Sequence, residues 1–174
     1  MQLQRLSLFL LKMKGTGPNP TAVRPRHAWL GFIGGFITIG ALALLTEATA
    51  EAWIMAPFGA SCVLAFGIWD SPLAQPRNII GGHLISTFIG LAVYHLFGGG
   101  TFSLALGVGL AILLMMLTRT THPPAGADPL VVITAGSSWG FLLTPVALGA
   151  ALIVLAALII NNLDPLRRYP TFWK

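Results

Sequence analysis

Four runs, residues 28–45, 78–97, 102–117 and 141–160, contain no Asp, Glu, Lys or Arg at all. Apolar runs of this length read as spanning helices, since a helix needs about 20 residues to cross a bilayer. The composition agrees. Charged residues make up 9% of the 174, hydrophobic residues 55%, and the mean hydropathy is +0.80. A soluble domain has about 25% charged residues, so this chain lacks the polar surface to face water. The expected class is an all-α integral membrane protein, with a length that suits one compact membrane domain and leaves no room for a soluble one.

The single cysteine, Cys62, has no partner in the chain, which excludes a disulfide framework and a cysteine-based metal site. The net charge of +5 would suggest nucleic acid in a soluble protein. Here eight of the ten Lys and Arg lie in the two tails. They read as orientation determinants and lipid-headgroup contacts, and nucleic-acid binding is not expected.

Residues Met1 to Lys14 form a basic amphipathic stretch, with Leu3, Leu6, Phe9, Leu10 and Met13 opposite Arg5, Lys12 and Lys14. Its apolar core is too short for a signal peptide, and an interfacial helix fits better. A Gly/Pro linker, Gly15 to Pro25, leads past Arg24, Arg26 and His27 to the first span, Ala28 to Leu45. The polar turn 46–51 follows, with two acids and no base. Segment 2, Trp53 to Trp69, is interrupted by Pro57. Proline lacks an amide donor and disfavours helix in the residue before it. The expectation is an extended stretch over Ala52–Ala56 and a half-helix over Pro57–Ile68, with proline well placed to start it. Spans 3 (Asn78–Phe97) and 4 (Phe102–Leu117) come next, joined by Gly98-Gly99-Gly100. A second short segment, about Ala125–Thr134, and the full span 6, Phe141–Ile160, precede the tail. Arg167, Arg168, Tyr169, Trp173 and Lys174 in that tail read as an interfacial anchor. The expected division is 1–27 as a cytoplasmic segment and linker, 28–161 as the membrane domain and 162–174 as a cytoplasmic tail.

Charge favours six crossings over four. With the N-terminus inside, Arg77, Arg119 and the C-terminal bases also fall inside, while the turns 46–51, 98–100 and 136–140 fall outside and carry no Lys or Arg. The segments divide into two triplets, about 28–97 and 102–161. Pro57-Phe58-Gly59-Ala60-Ser61 aligns with Pro124-Ala125-Gly126-Ala127-Asp128, and Pro76 and Gly81 fall near Pro145 and Gly149. Three crossings per repeat would invert the second copy, an arrangement of transporters. Chance likeness, and prolines that merely start or kink ordinary helices, are the plain alternatives.

About five extended residues cover about 15 Å, roughly half the hydrocarbon thickness. Each half-helix would thus begin near the midplane, with unpartnered amides and a positive dipole end facing an anion. Gly59 and Gly126 would let a ligand or the opposing backbone approach. His122 precedes a proline and should be extended. It either donates to an anion or carries a proton, or simply bonds a nearby carbonyl. His83 is the second candidate, with the same two readings. His27 and His95 lie near surfaces and read as ordinary. Arg119 either draws anions into a vestibule or only obeys the positive-inside rule, and Arg77 and Asn78 lie on that side. Asp128 either caps a helix dipole or is protonated. Ser61 and Asp128 occupy equivalent repeat positions and are expected to face the site. The four histidines are scattered, and no His-x-x-x-His, carboxylate pair or nucleophile–base pair is evident, so no enzyme, cofactor or metal is expected.

Three motifs resemble the HPP family of integral membrane proteins. They are Leu117-Thr118-Arg119-Thr120-Thr121-His122-Pro123-Pro124-Ala125-Gly126-Ala127, Ala56-Pro57-Phe58-Gly59-Ala60-Ser61, and Ser71 to Asn78 with Gly81-Gly82-His83. The resemblance covers about Arg26 to Trp173. The family is usually described with four spanning helices, and two broken segments are what a hydropathy profile undercounts. Plastid and cyanobacterial members are linked to nitrite transport, so the resemblance implies a transporter or channel for a small monovalent anion, nitrite first. A non-transporting sensor or scaffold is the alternative, and a membrane-embedded enzyme comes after it. Some relatives carry a nucleotide-sensing CBS pair after the membrane part. The chain's end at Lys174 and the lack of a plastid-type leader suggest that such control is absent and that the home is a bacterial inner membrane. Glycine-rich faces suggest a homo-oligomer.

Overall fold

The computed structural model describes residues 9–13, 17–19, 24–49 and 51–173. Among these it is all-helical. The elements are α1 (Pro25–Thr49), α2 (Ala56–Cys62) running on into a π turn (Val63–Gly67), a 3-10 turn (Pro72–Ala74), α3 (Pro76–Phe97), α4 (Thr101–Leu117), a 3-10 turn (Pro123–Ala127), α5 (Asp128–Ala135), a 3-10 turn (Trp139–Leu142), a π turn (Leu143–Ala147) and α6 (Leu148–Asn162). Three helical stretches are long and apolar enough to cross a membrane: Pro25–Thr49, Pro76–Phe97 and Trp139–Asn162. Ala56–Gly67 and Thr101–Leu117 are shorter apolar helices. Of the N-terminal amphipathic stretch, residues 9–12 are helical, and Leu3, Leu6, Arg5 and Lys14 lie outside the described residues.

The prolines set where helices begin. Met55 is extended (φ −138°, ψ 144°) and α2 starts at Ala56, one residue before the expected start. His122 is extended (φ −138°, ψ 100°), the conformation favoured before a proline, and Pro123-Pro124 open a 3-10 turn that feeds α5. Two expectations need correction. Span 6 is not continuous: Thr144, ahead of Pro145, leaves the helical region (φ −125°, ψ 118°), so the unbroken α-helix covers only Leu148–Asn162. The polar turn expected at 46–51 is mostly the last turn of α1, which runs on to Thr49.

The two short segments meet inside the bundle. α2 packs against the Pro123–Ala127 turn, and each also packs on a long helix, α2 on α6 and the turn on α3. Glycines make these approaches possible. A Cβ at Gly149 would lie 2.3 Å from the ring of Phe58, and one at Gly82 would lie 2.7 Å from the Cβ of His122. The expectation that Gly59 and Gly126 admit the opposing backbone is not met, for a Cβ at either meets nothing within 4 Å. The larger core gathers Leu42, Phe58, Phe66, Ile79, Val146 and Ile153, and a smaller one Leu91, Val93, Val132 and Ile133. Large apolar side chains such as Trp29, Phe32 and Phe36 are exposed, as suits a lipid-facing surface.

The tail is more than a headgroup anchor. Arg167 is buried, donating to the carbonyls of Phe66 (3.0 Å) and His27 (2.9 Å) and to Asn161 Oδ1 (2.8 Å), with its guanidinium 3.8 Å above the Trp69 ring. It supplies a donor to the Phe66 carbonyl, which lies where the broken segment ends and helical partners run out, and a further donor to the His27 carbonyl in the first turn of α1. Tyr169 is also buried and donates to the Ala74 carbonyl (2.8 Å), while Arg168 and Trp173 remain exposed as expected. Arg26 does not serve a headgroup alone, since it pairs with Asp164 at 2.7 Å.

Two outcomes follow from this packing. Gly149→Ala should cost about 1–3 kcal/mol by overpacking against Phe58, read as a lower thermal midpoint in detergent; an unchanged midpoint would contradict the contact. The Leu166 amide, with the Arg26 guanidinium, holds the Asp164 carboxyl below the ordinary carboxylate range. A depressed folded value stabilises above the unfolded value of about 3.9 and is lost as pH falls through the lower folded one. Below about pH 4 the native protein should therefore lose thermal stability faster than Asp164→Asn.

Candidate functional site

Four polar side chains, each wholly buried, meet where α2, α3 and the His-Pro-Pro turn converge: Ser61, His83, His122 and Asp128. Ser61 Oγ lies 2.8 Å from Nε2 of His83 and 2.8 Å from Nε2 of His122. The other nitrogen of His83, Nδ1, lies 2.7 Å from Oδ2 of Asp128. The other nitrogen of His122, Nδ1, lies 2.8 Å from the carbonyl of Leu73. A carbonyl only accepts, so His122 carries a hydrogen on Nδ1. Thr87 donates to Asp128 Oδ2 at 3.2 Å, and Ser61 also reaches the Pro57 carbonyl one turn back at 3.1 Å.

Each side chain arrives for a local reason. Ser61 faces inward because it sits one turn after Pro57, on the face of α2 that buries Phe58. His83, Ser86 and Thr87 form a single polar stripe on α3, three and four residues apart. The extended backbone before Pro123 swings His122 across Gly82, and the ring centroids of His83 and His122 stand 5.1 Å apart. Phe58 closes the cluster edge-on to His83 at 5.2 Å. Ser86 donates to the Ala125 carbonyl and Asn78 to that of Thr121 (2.9 Å), fastening the broken segment to α3.

The remaining residues singled out in the sequence fall into groups. Pro57, Pro124 and Ala125 are buried around the cluster. Gly59, Ala60 and Pro123 are exposed on the outer faces of their segments, and Gly126 and Ala127 are half-buried. Gly59 and Cys62 line a cleft of about 460 Å³ with Arg24 and His27. Arg77 donates to the Thr118 carbonyl at 2.9 Å, and Arg119 is exposed with a positive φ of 58°. His95 bonds the Leu91 carbonyl (2.8 Å) and His27 stacks edge-on to Trp69, both away from the cluster.

Two expectations about chemistry change. The prolines leave few free amides at the segment starts: Phe58 N already bonds Met55 O and Ala125 N bonds His122 O. Donors to a ligand must therefore come mainly from side chains. A nucleophile–base pair does exist, because Ser61, His83 and Asp128 stand in series as nucleophile, base and orienting acid would. Among the described residues no three His, Cys, Asp or Glu are grouped to hold a metal. Sequence reasoning missed Ser86 and Thr87; their spacing after His83 in an otherwise apolar span was the available signal.

The model of the transmembrane region of HPP proteins matches residues 20–170. The chain belongs to the HPP transmembrane family. Two transmembrane proteins of Dictyostelium discoideum are similar to it, one 37% identical over 177 residues and one 34% identical over 179. Each alignment covers 95% of this chain but only 57% and 63% of those relatives, so the HPP chain spans less than two thirds of their length. No solved structure matches.

Ser61→Ala should leave two buried ring nitrogens without their shared partner. The expected cost is about 1–3 kcal/mol, measured by thermal unfolding in detergent against Ala60→Ser on the exposed face as a control. Equal effects of the two would mean the buried cluster contributes nothing to stability.

Proposed function

We propose that this HPP protein carries a small monovalent anion across a membrane, with nitrite the leading substrate. The observation that carries the reading is the wholly buried cluster of Ser61, His83, His122 and Asp128, held where two broken segments meet. In an apolar interior such groups are costly, and they mark ion and proton pathways. The hydroxyl and imidazole hydrogens are the donors that an oxyanion stripped of water requires. A cleft of about 490 Å³ lined by Thr49, Glu51, Trp53, Ser137 and Thr144 opens at one end of α1, and the Arg24/His27 cleft lies at the other. They are suited to serve as the two vestibules.

In this reading the chain crosses six times as two inverted repeats. Support comes from one recurring offset, which relates Pro57 to Pro124, Phe58 to Ala125, Ser61 to Asp128 and Gly82 to Gly149. The glycine of each half receives the broken segment of the other, Gly149 taking Phe58 and Gly82 taking His122 and Ala125. Two half-helices would then start near the midplane, as in other repeat-built carriers. The termini would share the Arg24, Arg77 and Arg119 side. A bacterial inner membrane and assembly into homo-oligomers belong to the same proposal.

The Ser61–His83–Asp128 series favours a second reading, a membrane-embedded serine hydrolase. Against it, the hydroxyl is wholly buried and shared with a second histidine. A fluorophosphonate probe should leave the native protein unlabelled; labelling lost in Ser61→Ala would move the function to hydrolysis.

The test of transport is nitrite uptake into proteoliposomes, with nitrate and chloride as comparators. The native protein should exceed protein-free vesicles, and His122→Ala should lower the rate at least about tenfold. Purified protein that moves none of the three anions sinks the proposal.

A further inference from the structure

Hydrogen counting in the buried cluster points to more than anion binding. Asp128, His83, Ser61, His122 and the Leu73 carbonyl are joined by four hydrogen bonds in series. Each bond needs one hydrogen. With Asp128 ionised and both imidazoles neutral, the groups supply only three: one from each imidazole and one from the serine. A fully bonded series therefore holds one extra proton and is neutral overall. That proton sits at the Asp128–His83 end when Ser61 donates to His122, or on His122 when Ser61 donates to His83. Asp128 Oδ1 has no hydrogen-bond partner among the described residues, so the carboxyl lacks the donors a full buried carboxylate demands.

The Pro57 carbonyl gives the series a second satisfied state. It lies 3.1 Å from Ser61 Oγ. If the serine hydrogen turns to it, Ser61 accepts from both histidines, and both Nε2 atoms carry hydrogens. The series then holds a second extra proton and a charge of +1. Alone in an apolar interior that charge is unfavourable, and so is a buried anion alone; together they cancel.

We propose that the Asp128–His83–Ser61–His122 series is the coupling site of a proton–anion symporter, taking up one proton with each anion. The proposal rests on the transport reading above and adds its coupling. On loading, a proton from solvent water forms one N–H bond at whichever Nε2 had accepted the serine hydrogen, and the serine O–H swings to the Pro57 carbonyl. On release that N–H bond breaks, the proton returns to water on the other side with the anion, and the serine hydrogen returns to the ring nitrogen. No other bond changes. Ser61 is the pivot because, among the described residues, it alone is hydrogen-bonded to both imidazoles. Other titratable groups on the elements bearing these residues are Cys62 on α2, Arg77, Tyr94 and His95 on α3, and Arg119 on the link into the His-Pro-Pro turn. α1, which also packs on α2, bears Arg26, His27 and Glu47, while α4, α5 beyond Asp128, and α6 bear none.

The test uses the full chain in proteoliposomes with a lumenal pH dye, every rate taken above protein-free vesicles because nitrous acid itself permeates lipid. An inward nitrite gradient should acidify the lumen by about one proton per anion, and a lumen held alkaline should drive nitrite uphill. In Asp128→Asn, which keeps a hydrogen-bonding side chain, the proton-to-anion ratio should fall at least about tenfold and uphill accumulation should vanish. Native protein that moves nitrite down its gradient, with no lumenal pH change and no response to the pH gradient, overturns the coupling and leaves the transport reading standing. Native protein that moves no anion overturns both. The native measurement decides the matter even if the variant does not fold.

Discussion

Everything in this bundle converges on the hydroxyl of Ser61. One oxygen stands 2.8 Å from a nitrogen of each of two histidines carried by different elements. Through His83 it reaches Asp128 at the start of α5, and through His122 it reaches the loop carbonyl of Leu73. Segments far apart in the chain are thereby bound at one point. With no water in a hydrocarbon interior, such groups must find partners in the protein. The cluster is thus first of all a constraint on the fold.

Prolines and glycines exist in this chain to let that convergence happen. A proline interrupts the helix so that a polar group can be delivered partway along a segment, and a glycine on the facing helix clears space for the interrupted segment. Pro57 with Gly149, and Pro123-Pro124 with Gly82, are the two instances. The backbone groups freed by the breaks are satisfied by side chains: Ser86 on Ala125, Asn78 on Thr121, Asn161 on Ala65 and Arg167 on Phe66. Polar residues that look anomalous in apolar spans are here the partners of broken backbone.

What the sequence disclosed follows from this. A helix start beside Pro57, a helical turn at Pro123-Pro124, the extended His122 and the five long or intermediate apolar segments were legible because they depend on local covalent geometry and composition. Pro145 carried the same local signal, yet a strong apolar pattern on both sides hid the break at Thr144. The Ser61–His83–Asp128 series was not legible, since His83 and Asp128 are 45 residues apart and no spacing rule relates them. Arg167 was read by its chemistry as a surface base. Its burial depends on carbonyls of Phe66 and His27, more than a hundred residues earlier, which no local pattern displays.

The tail and the cluster hold adjacent turns of one element. Ser61 ties the inward face of α2 to α3 and the His-Pro-Pro turn, while Arg167 and Asn161 hold the carbonyls of Phe66 and Ala65 in the π turn that ends it. A π turn is a widened helical turn with weaker internal bonding, often found where function requires an irregular backbone. Ahead of these two holds α2 has an open outer face, since a Cβ at Gly59 meets nothing and the Arg24/His27 cleft lies against it. Among the described residues, the side-chain hydrogen bonds that reach this element from elsewhere in the fold fall at Ser61, Ala65 and Phe66. Its polar attachment is thus concentrated on the inward side and the last turns, next to the serine that joins the two histidines, and its start is held by the packing of Phe58 on Gly149.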